Sequence, residues 1–339
     1  MSTSYLVRAC SIASLAACWL AAAAGCGPSS DPAPDAPPVS MIPTSPAGRF
    51  AVTSTVEFGV PPPAAPVISE LIAATDGPDD PTRYLVDRMV ETLPDGTVKD
   101  IAIEAAPYVA AYLNSRLAEV APRLTSGIHA IAGGLSRVAG RLETSETLVI
   151  DGSGGGMRTI TGARFDVAGA GLVVRFADAG LPDITAITHV ALDATGRVTF
   201  SDHTHAVPYS DLLRLGLDRA VVAAIEPTAR DLSGALGALI DCDRLGVLID
   251  DRVGLGGPEI YATACRAAMT AIASELYALI DAIGSSPVAL EVTGAADGVD
   301  RDGDGSMDEL RAGSWAGSLT AGAAREPLGA ASFSGQRAP

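Results

Sequence analysis

The spacing of apolar positions changes along this chain. Residues 9 to 24 are apolar almost without a break, interrupted only by Ser11 and Ser14. After residue 67 the apolar positions recur near every 3.6 residues, which predicts amphipathic helices. Tyr84, Leu85, Met89 and Val90 mark a first helix, closed by the turn Leu93-Pro94-Asp95-Gly96. Ile101, Ile103, Val109, Tyr112, Leu113, Leu117 and Val120 mark a second, stopped by Pro122, and a third spans 125–142 around Gly133-Gly134. Near Glu146 the period falls to two, and strands are expected at 147–151, 158–167, 171–177, 184–192 and 197–207, forming a meander. Helical spacing returns over 212–225 and 232–240, then over 258–283, where Pro258 suits a first helical turn. Three further strands are expected at 288–293, 310–320 and 328–336. The pattern predicts one α+β domain over 67–339: an antiparallel sheet of about eight strands with amphipathic helices on one side. Its parts are helical (67–145), β-meander (146–209), helical (210–285) and a C-terminal hairpin (286–339).

The apolar run at the start is about 16 residues, shorter than the roughly 20 a spanning helix needs, and Arg8 is the only charge before it. Residues 1–25 therefore read as a signal peptide. The end of that run, Leu20-Ala21-Ala22-Ala23-Ala24-Gly25-Cys26, resembles the lipobox of bacterial signal peptidase II substrates, with Ala23 where Leu is usual. The resemblance implies that Cys26 accepts a lipid and anchors the exported protein at the outer membrane, facing the periplasm or the cell surface. Residues 26–66, rich in Pro, Ser and Ala, read as a tether with a short β-like piece at 50–58.

Composition narrows the function. Forty acidic against 23 basic residues give a net charge of −17, and loss of Arg8 with the signal (−17 − 1) makes it −18. Nucleic acid and anionic lipid headgroups are poor partners for such a chain, because binding either needs a positive face. Lys99 is the only lysine, so lysine-based phosphate cradles and Schiff-base chemistry have almost no candidate. Of five cysteines, Cys10 and Cys18 leave with the signal and Cys26 carries lipid. The remaining two, Cys242 and Cys265, are expected to form a disulfide in an oxidising compartment.

Two constellations carry candidate chemistry. Asp300-Arg301-Asp302-Gly303-Asp304-Gly305-Ser306-Met307-Asp308-Glu309 resembles the calcium loop of EF-hands: oxygen ligands at alternate positions, Gly at position six, an apolar residue at eight. Position twelve is Arg311 where an EF-hand has Glu, so the resemblance implies a calcium shell of Asp300, Asp302, Asp304 and Ser306 closed by Asp308 or Glu309. Strand-like flanks put the loop in a hairpin. The second is a histidine group. If Asp193-Ala194-Thr195-Gly196 is a type I turn with a bulge at Gly196, Val190 and Leu192 share a face with Val198 and Phe200. His189, His203 and His205 then share the other face, read first as a polar outer surface and secondly as a zinc or copper site. No Gly-x-Ser-x-Gly elbow and no His-Glu-x-x-His occurs. The expectation is a membrane-anchored, calcium-stabilised protein with a non-enzymatic binding or structural role. The alternatives are a carrier of an apolar ligand or lipid, and a hydrolase.

Overall fold

A computed structural model describes residues 41–59, 82–121, 123–167, 170–254, 257–284 and 288–339, together with 65 and 69. The signal segment and Cys26 lie outside the described residues.

Gly48–Phe58 (β1) alternates strictly, with Phe50, Val52, Ser54, Val56 and Phe58 buried. It belongs to the domain and not to a tether reaching residue 66, because it pairs with strands on both of its sides. The first helical set follows: α1 (Arg83–Thr92), α2 (Thr97–Val120) and α3 (Leu124–Gly140). Strands β2 (Arg141–Ile150), β3 (Gly155–Val167), β4 (Ala170–Arg175), β5 (Ile184–Leu192) and β6 (Arg197–Val207) come next. The second helical set begins with α4 (Tyr209–Gly216), which continues through a π-helical stretch, Leu217–Val222. It then comprises α5 (Leu232–Leu239), α6 (Cys242–Val253) and α7 (Pro258–Ile283). The chain ends in β7 (Val288–Val299), β8 (Glu309–Ala321) and β9 (Ala324–Arg337).

The fold is α+β and its sheet is antiparallel throughout, in the order β2-β1-β9-β8-β7-β6-β5-β3-β4. β2 also pairs with β3, so eight strands close into a barrel and β4 extends one wall. Closure leaves no open edge among those eight, which removes the usual route to edge-to-edge association. β1 and β6 are an even number of antiparallel steps apart, so both helical sets leave the same barrel end and pack together there. The described helices thus form a cap over that end, with Phe58 meeting Tyr209 and the Tyr209 hydroxyl donating to Ala139 O at 2.6 Å. The turns β2–β3, β5–β6 and β7–β8 lie at the opposite end, where Met41–Ala47 also crosses.

Two of those turns share one device. Asp151 Oδ1 accepts from Ser153 N, Ser153 Oγ and Gly155 N, and Asp193 Oδ1 accepts from Thr195 N, Thr195 Oγ1 and Arg197 N. Gly154 and Gly196 both take φ of 84°, so Asp-x-Ser/Thr-Gly fixes each turn and hence the strand register.

Asp231 and Asp241 cap α5 and α6 by accepting from Gly234 N and Arg244 N. The disulfide Cys242–Cys265 joins the start of α6 to α7, with Cα atoms 5.6 Å apart across 23 residues of sequence. Closing such a loop in the unfolded chain should contribute about 3 kcal/mol. Reduction is expected to lower the urea midpoint accordingly; an unchanged midpoint after complete reduction would contradict this.

Candidate functional site

The β7–β8 loop gathers Asp300, Asp302 and Asp304, each offering a carboxylate oxygen within 4.8 Å of the others. Three carboxylate oxygens so placed could hold a metal ion between them. The loop is built from its own backbone. Asp300 Oδ1 accepts from Gly303 N at 2.7 Å and Oδ2 from Gly305 N at 2.8 Å, while Ser306 N donates to Asp304 Oδ1 at 2.6 Å. Gly303 and Gly305 adopt φ of 79° and 87°, values that a side-chain-bearing residue rarely takes. Burial works to raise the Asp300 carboxyl, but the N–H groups of Gly305, Gly303 and Asp302 outweigh it and hold it below the usual range. Met307, the apolar residue at position eight, is fully buried.

The expected closing ligands are engaged elsewhere. Glu309 pairs with Arg301 and, at 2.9 Å, with Arg311. Asp308 accepts from Arg301 N at 2.9 Å and stands 3.4 Å from Arg337. Neither joins the aspartate cluster. The arginine at position twelve therefore draws Glu309 away by charge instead of leaving it for an ion. The segment that enters the domain straps this loop: Met41 and Asp300 exchange backbone hydrogen bonds, and Thr44 N and Ser45 N both donate to Gly305 O.

The histidines do not form one group. The β5–β6 turn and register are as the sequence predicts, with Leu192 opposite Val198 and Val190 opposite Phe200. Beyond Phe200, however, β6 bulges: Phe200 pairs with Gly294 and His203 with Val292, three residues of β6 against two of β7. Ser201 makes this bulge by using its hydroxyl in place of a carbonyl to accept His189 N at 2.9 Å. Ser201 and Asp202 both face out, and His203 and His205 turn inward while His189 stays exposed. The zinc or copper triad is thus taken apart, because the bulge moves two of its members through the barrel wall.

Inside, the two histidines join a cluster that sequence reasoning missed. Arg158 of β3 and Glu146 of β2 form a two-pronged ion pair at 2.5 and 2.7 Å, both side chains almost wholly buried. Glu146 also accepts from Thr144 Oγ1. The Arg158 guanidinium lies 4.2 Å over the ring of Trp315 on β8, whose Nε1 donates to Ser54 Oγ on β1 at 3.2 Å. Strands this far apart around the ring can meet only in the lumen. Trp315 stacks on Phe333 at 4.1 Å and packs against Phe200, filling it further. His203 Nδ1 lies 2.8 Å from Ser201 O and so must donate, which leaves Nε2 to accept from Arg158 Nη1 at 3.3 Å. His203 is therefore neutral. His205 is fully buried beside it, ring centroids 5.2 Å apart, and neither of its nitrogens has a hydrogen-bond partner among the described residues. Burial and the Arg158 charge push His205 down to about 3. Burial also lowers His203, and the nearby Arg158 charge adds to that. For Glu146, burial acts to raise the carboxyl and is outweighed by the charge and hydrogen bonds of Arg158, so the net direction is down.

No protein-family model, curated protein or solved structure matches the chain. Its function has to be argued from these residues alone.

Proposed function

We propose that the protein is an exported lipoprotein, tethered to a membrane through lipid on Cys26, whose barrel domain has a non-enzymatic binding or structural role and is stiffened by one calcium ion at Asp300, Asp302 and Asp304. The observation that carries the non-enzymatic reading is how the lumen spends its ionisable groups: Glu146, Arg158 and His203 are bonded to one another behind the barrel wall. A hydrolase needs such groups facing a substrate. A carrier of an apolar ligand needs internal room, and among the described residues the apolar cavity lined by α1, α2, α6 and α7 measures only about 30 Å³. That is close to the share of a single water molecule.

Calcium would join three carboxylates that otherwise repel one another and would rigidify the loop beneath the entering strap. A loop whose acidic closing residues are paired with arginine should bind weakly, with a dissociation constant of about 10⁻⁴ to 10⁻³ M. At ten times that concentration the linkage stabilisation is about 1.4 kcal/mol. The expected result is a higher thermal midpoint in millimolar calcium, reversed by EDTA, absent in Asp302→Ala and poorly reproduced by magnesium. No heat on titration together with an unmoved midpoint would reject the calcium role.

A further inference from the structure

Helix α3 ends at Gly140 and β2 begins at Arg141, with no linking residue between them. The last turn of the helix is therefore held beside the ends of β1, β2 and β3, and together they border an open cleft of about 510 Å³. That is the size of a small-ligand site. Its walls bring together Arg137, Arg141 and Arg164 with Glu57, Glu143 and Asp166. Strand register sets the arrangement: Glu57 lies opposite Arg141, Glu143 lies opposite Arg164, and Arg141 and Glu143 are two residues apart on one face. These charges are not spent on one another. Glu143, its side chain 15 % exposed, stands 3.7 Å from Arg141 and 3.5 Å from Arg164, and Arg141 stands 3.6 Å from Glu57. All three separations exceed ordinary hydrogen-bond length. Among the described residues Arg141, Arg164 and Asp166 make no hydrogen bond, and Arg137 uses only Nε, on Gly133 O. Gly171 on β4 leaves room for one of these guanidinium groups, since a β-carbon there would stand 2.8 Å from Arg164 Nη2.

We infer that this cleft binds a small zwitterion with a free carboxylate and a free ammonium, an amino acid or a short peptide. A guanidinium presents paired N–H groups that match a carboxylate, and Arg141 and Arg164 offer two such forks with their donors uncommitted. Asp166, aided by the partial negative charge at the carboxyl end of α3, is the complement for an ammonium. Net charge decides between a zwitterion and a simple anion. The six side chains sum to zero, three cations against three anions, within a chain of net charge −17. A lone anion would meet that field unbalanced, whereas a zwitterion carries no net charge into it. Exchange is also easy, because each arginine gives up only a long, half-exposed ion pair when a carboxylate arrives. The inference rests on the binding role given above and names its ligand class, but it uses neither the lipid nor the calcium.

The test is isothermal titration of the full exported chain, in a neutral detergent near neutral pH, with trialanine and its two singly blocked forms. Trialanine is the zwitterion, N-acetyl-trialanine lacks the ammonium and trialanine amide lacks the carboxylate. Trialanine should bind, and each blocked form should bind about tenfold more weakly. Arg164→Gln should weaken trialanine about tenfold and bring it level with the amide, and Asp166→Asn should bring it level with the acetylated form. Both residues are exposed, so the thermal midpoint should stay where it is. Should a variant not fold, the blocked peptides on the unaltered chain still decide. Arg325→Gln, the same change at an exposed arginine outside the cleft, should leave all three titrations unchanged. No heat with trialanine at tens of millimolar, or equal binding of the three peptides, would overturn the inference. Tighter binding of the acetylated form would overturn it in favour of a plain anion site, and a loss in Arg325→Gln equal to that in Arg164→Gln in favour of general charge attraction. The lipid on Cys26 and calcium at Asp302 are read by separate measurements, so failure of this site is distinguishable from failure of the wider reading.

Discussion

Arg158→Met should destabilise the protein by about 3–5 kcal/mol, because it leaves the Glu146 carboxylate buried behind the barrel wall without its partner charge. The native pair is bidentate, with both side chains at most 3 % exposed. Total stability of a domain is typically about 5–15 kcal/mol, so this single change removes a large fraction of it. Replacing both members, Arg158→Met with Glu146→Leu, should restore most of the loss, since well-packed apolar side chains often match a buried pair. Restoration should be incomplete, because Trp315 loses the cation over its ring and His203 Nε2 loses its donor. A double-mutant cycle by urea unfolding reads this directly. A cost below about 1 kcal/mol for Arg158→Met would mean that the lumen is wet and the pair solvated.

The second large effect is acid lability set by histidine. His205 is held down to about 3 and His203 is also lowered, whereas both titrate near 6.5 in an unfolded chain. Below pH 6.5 the unfolded state takes up protons that the folded state refuses, so stability falls as pH falls, until the folded His205 itself titrates. For His205 alone the loss is about 2 kcal/mol by pH 5, with His203 adding in the same direction. Glu146, lowered in the folded state, adds its own loss only as pH drops through the ordinary carboxylate range, whereas Asp218, raised by burial, works in the opposite direction, so comparison with His205→Leu assigns the histidine share of the interval from 6.5 to 5. His205→Leu should flatten that interval, and at pH 7.5 it should be neutral or stabilising, because neither nitrogen makes a hydrogen bond to lose. Chemical denaturation at half-unit pH steps checks the slope; an unchanged slope in His205→Leu would show that the ring has a partner in solution that relieves it.

Much of the fold is legible in the chain. The strands from 184 to 207 and the start of α7 at Pro258 follow from local pattern. The Asp193 turn sets its register because one side chain satisfies three donors, a purely local event. Barrel closure is not local: it depends on β2 meeting β3 on one side and β1 on the other, and β1 sits beside Pro-rich sequence that resembles a tether. The charged lumen was hidden by the assumption that Glu and Arg face water. Yet Glu146 keeps phase with buried Leu148 and Ile150, and Arg158 with buried Ile160. The β6 bulge also left a trace. Phe200 and Val207 are an odd number of residues apart, so both can face the core only if one residue is inserted between them, which carries His203 and His205 inward. The aspartate loop was readable by spacing, but its closing residues were not, because the arginines that hold Glu309 and Asp308 come partly from β8 and β9.

Intact-mass spectrometry of the chain exported by a bacterial host, sprayed natively with calcium and again after EDTA, tests the functional account most directly. The account predicts a polypeptide beginning at Cys26 with the added mass of a lipid, two hydrogens fewer for Cys242–Cys265, and one calcium ion that EDTA removes. A chain cut at another position, carrying no lipid and holding no calcium in either spray, would contradict it.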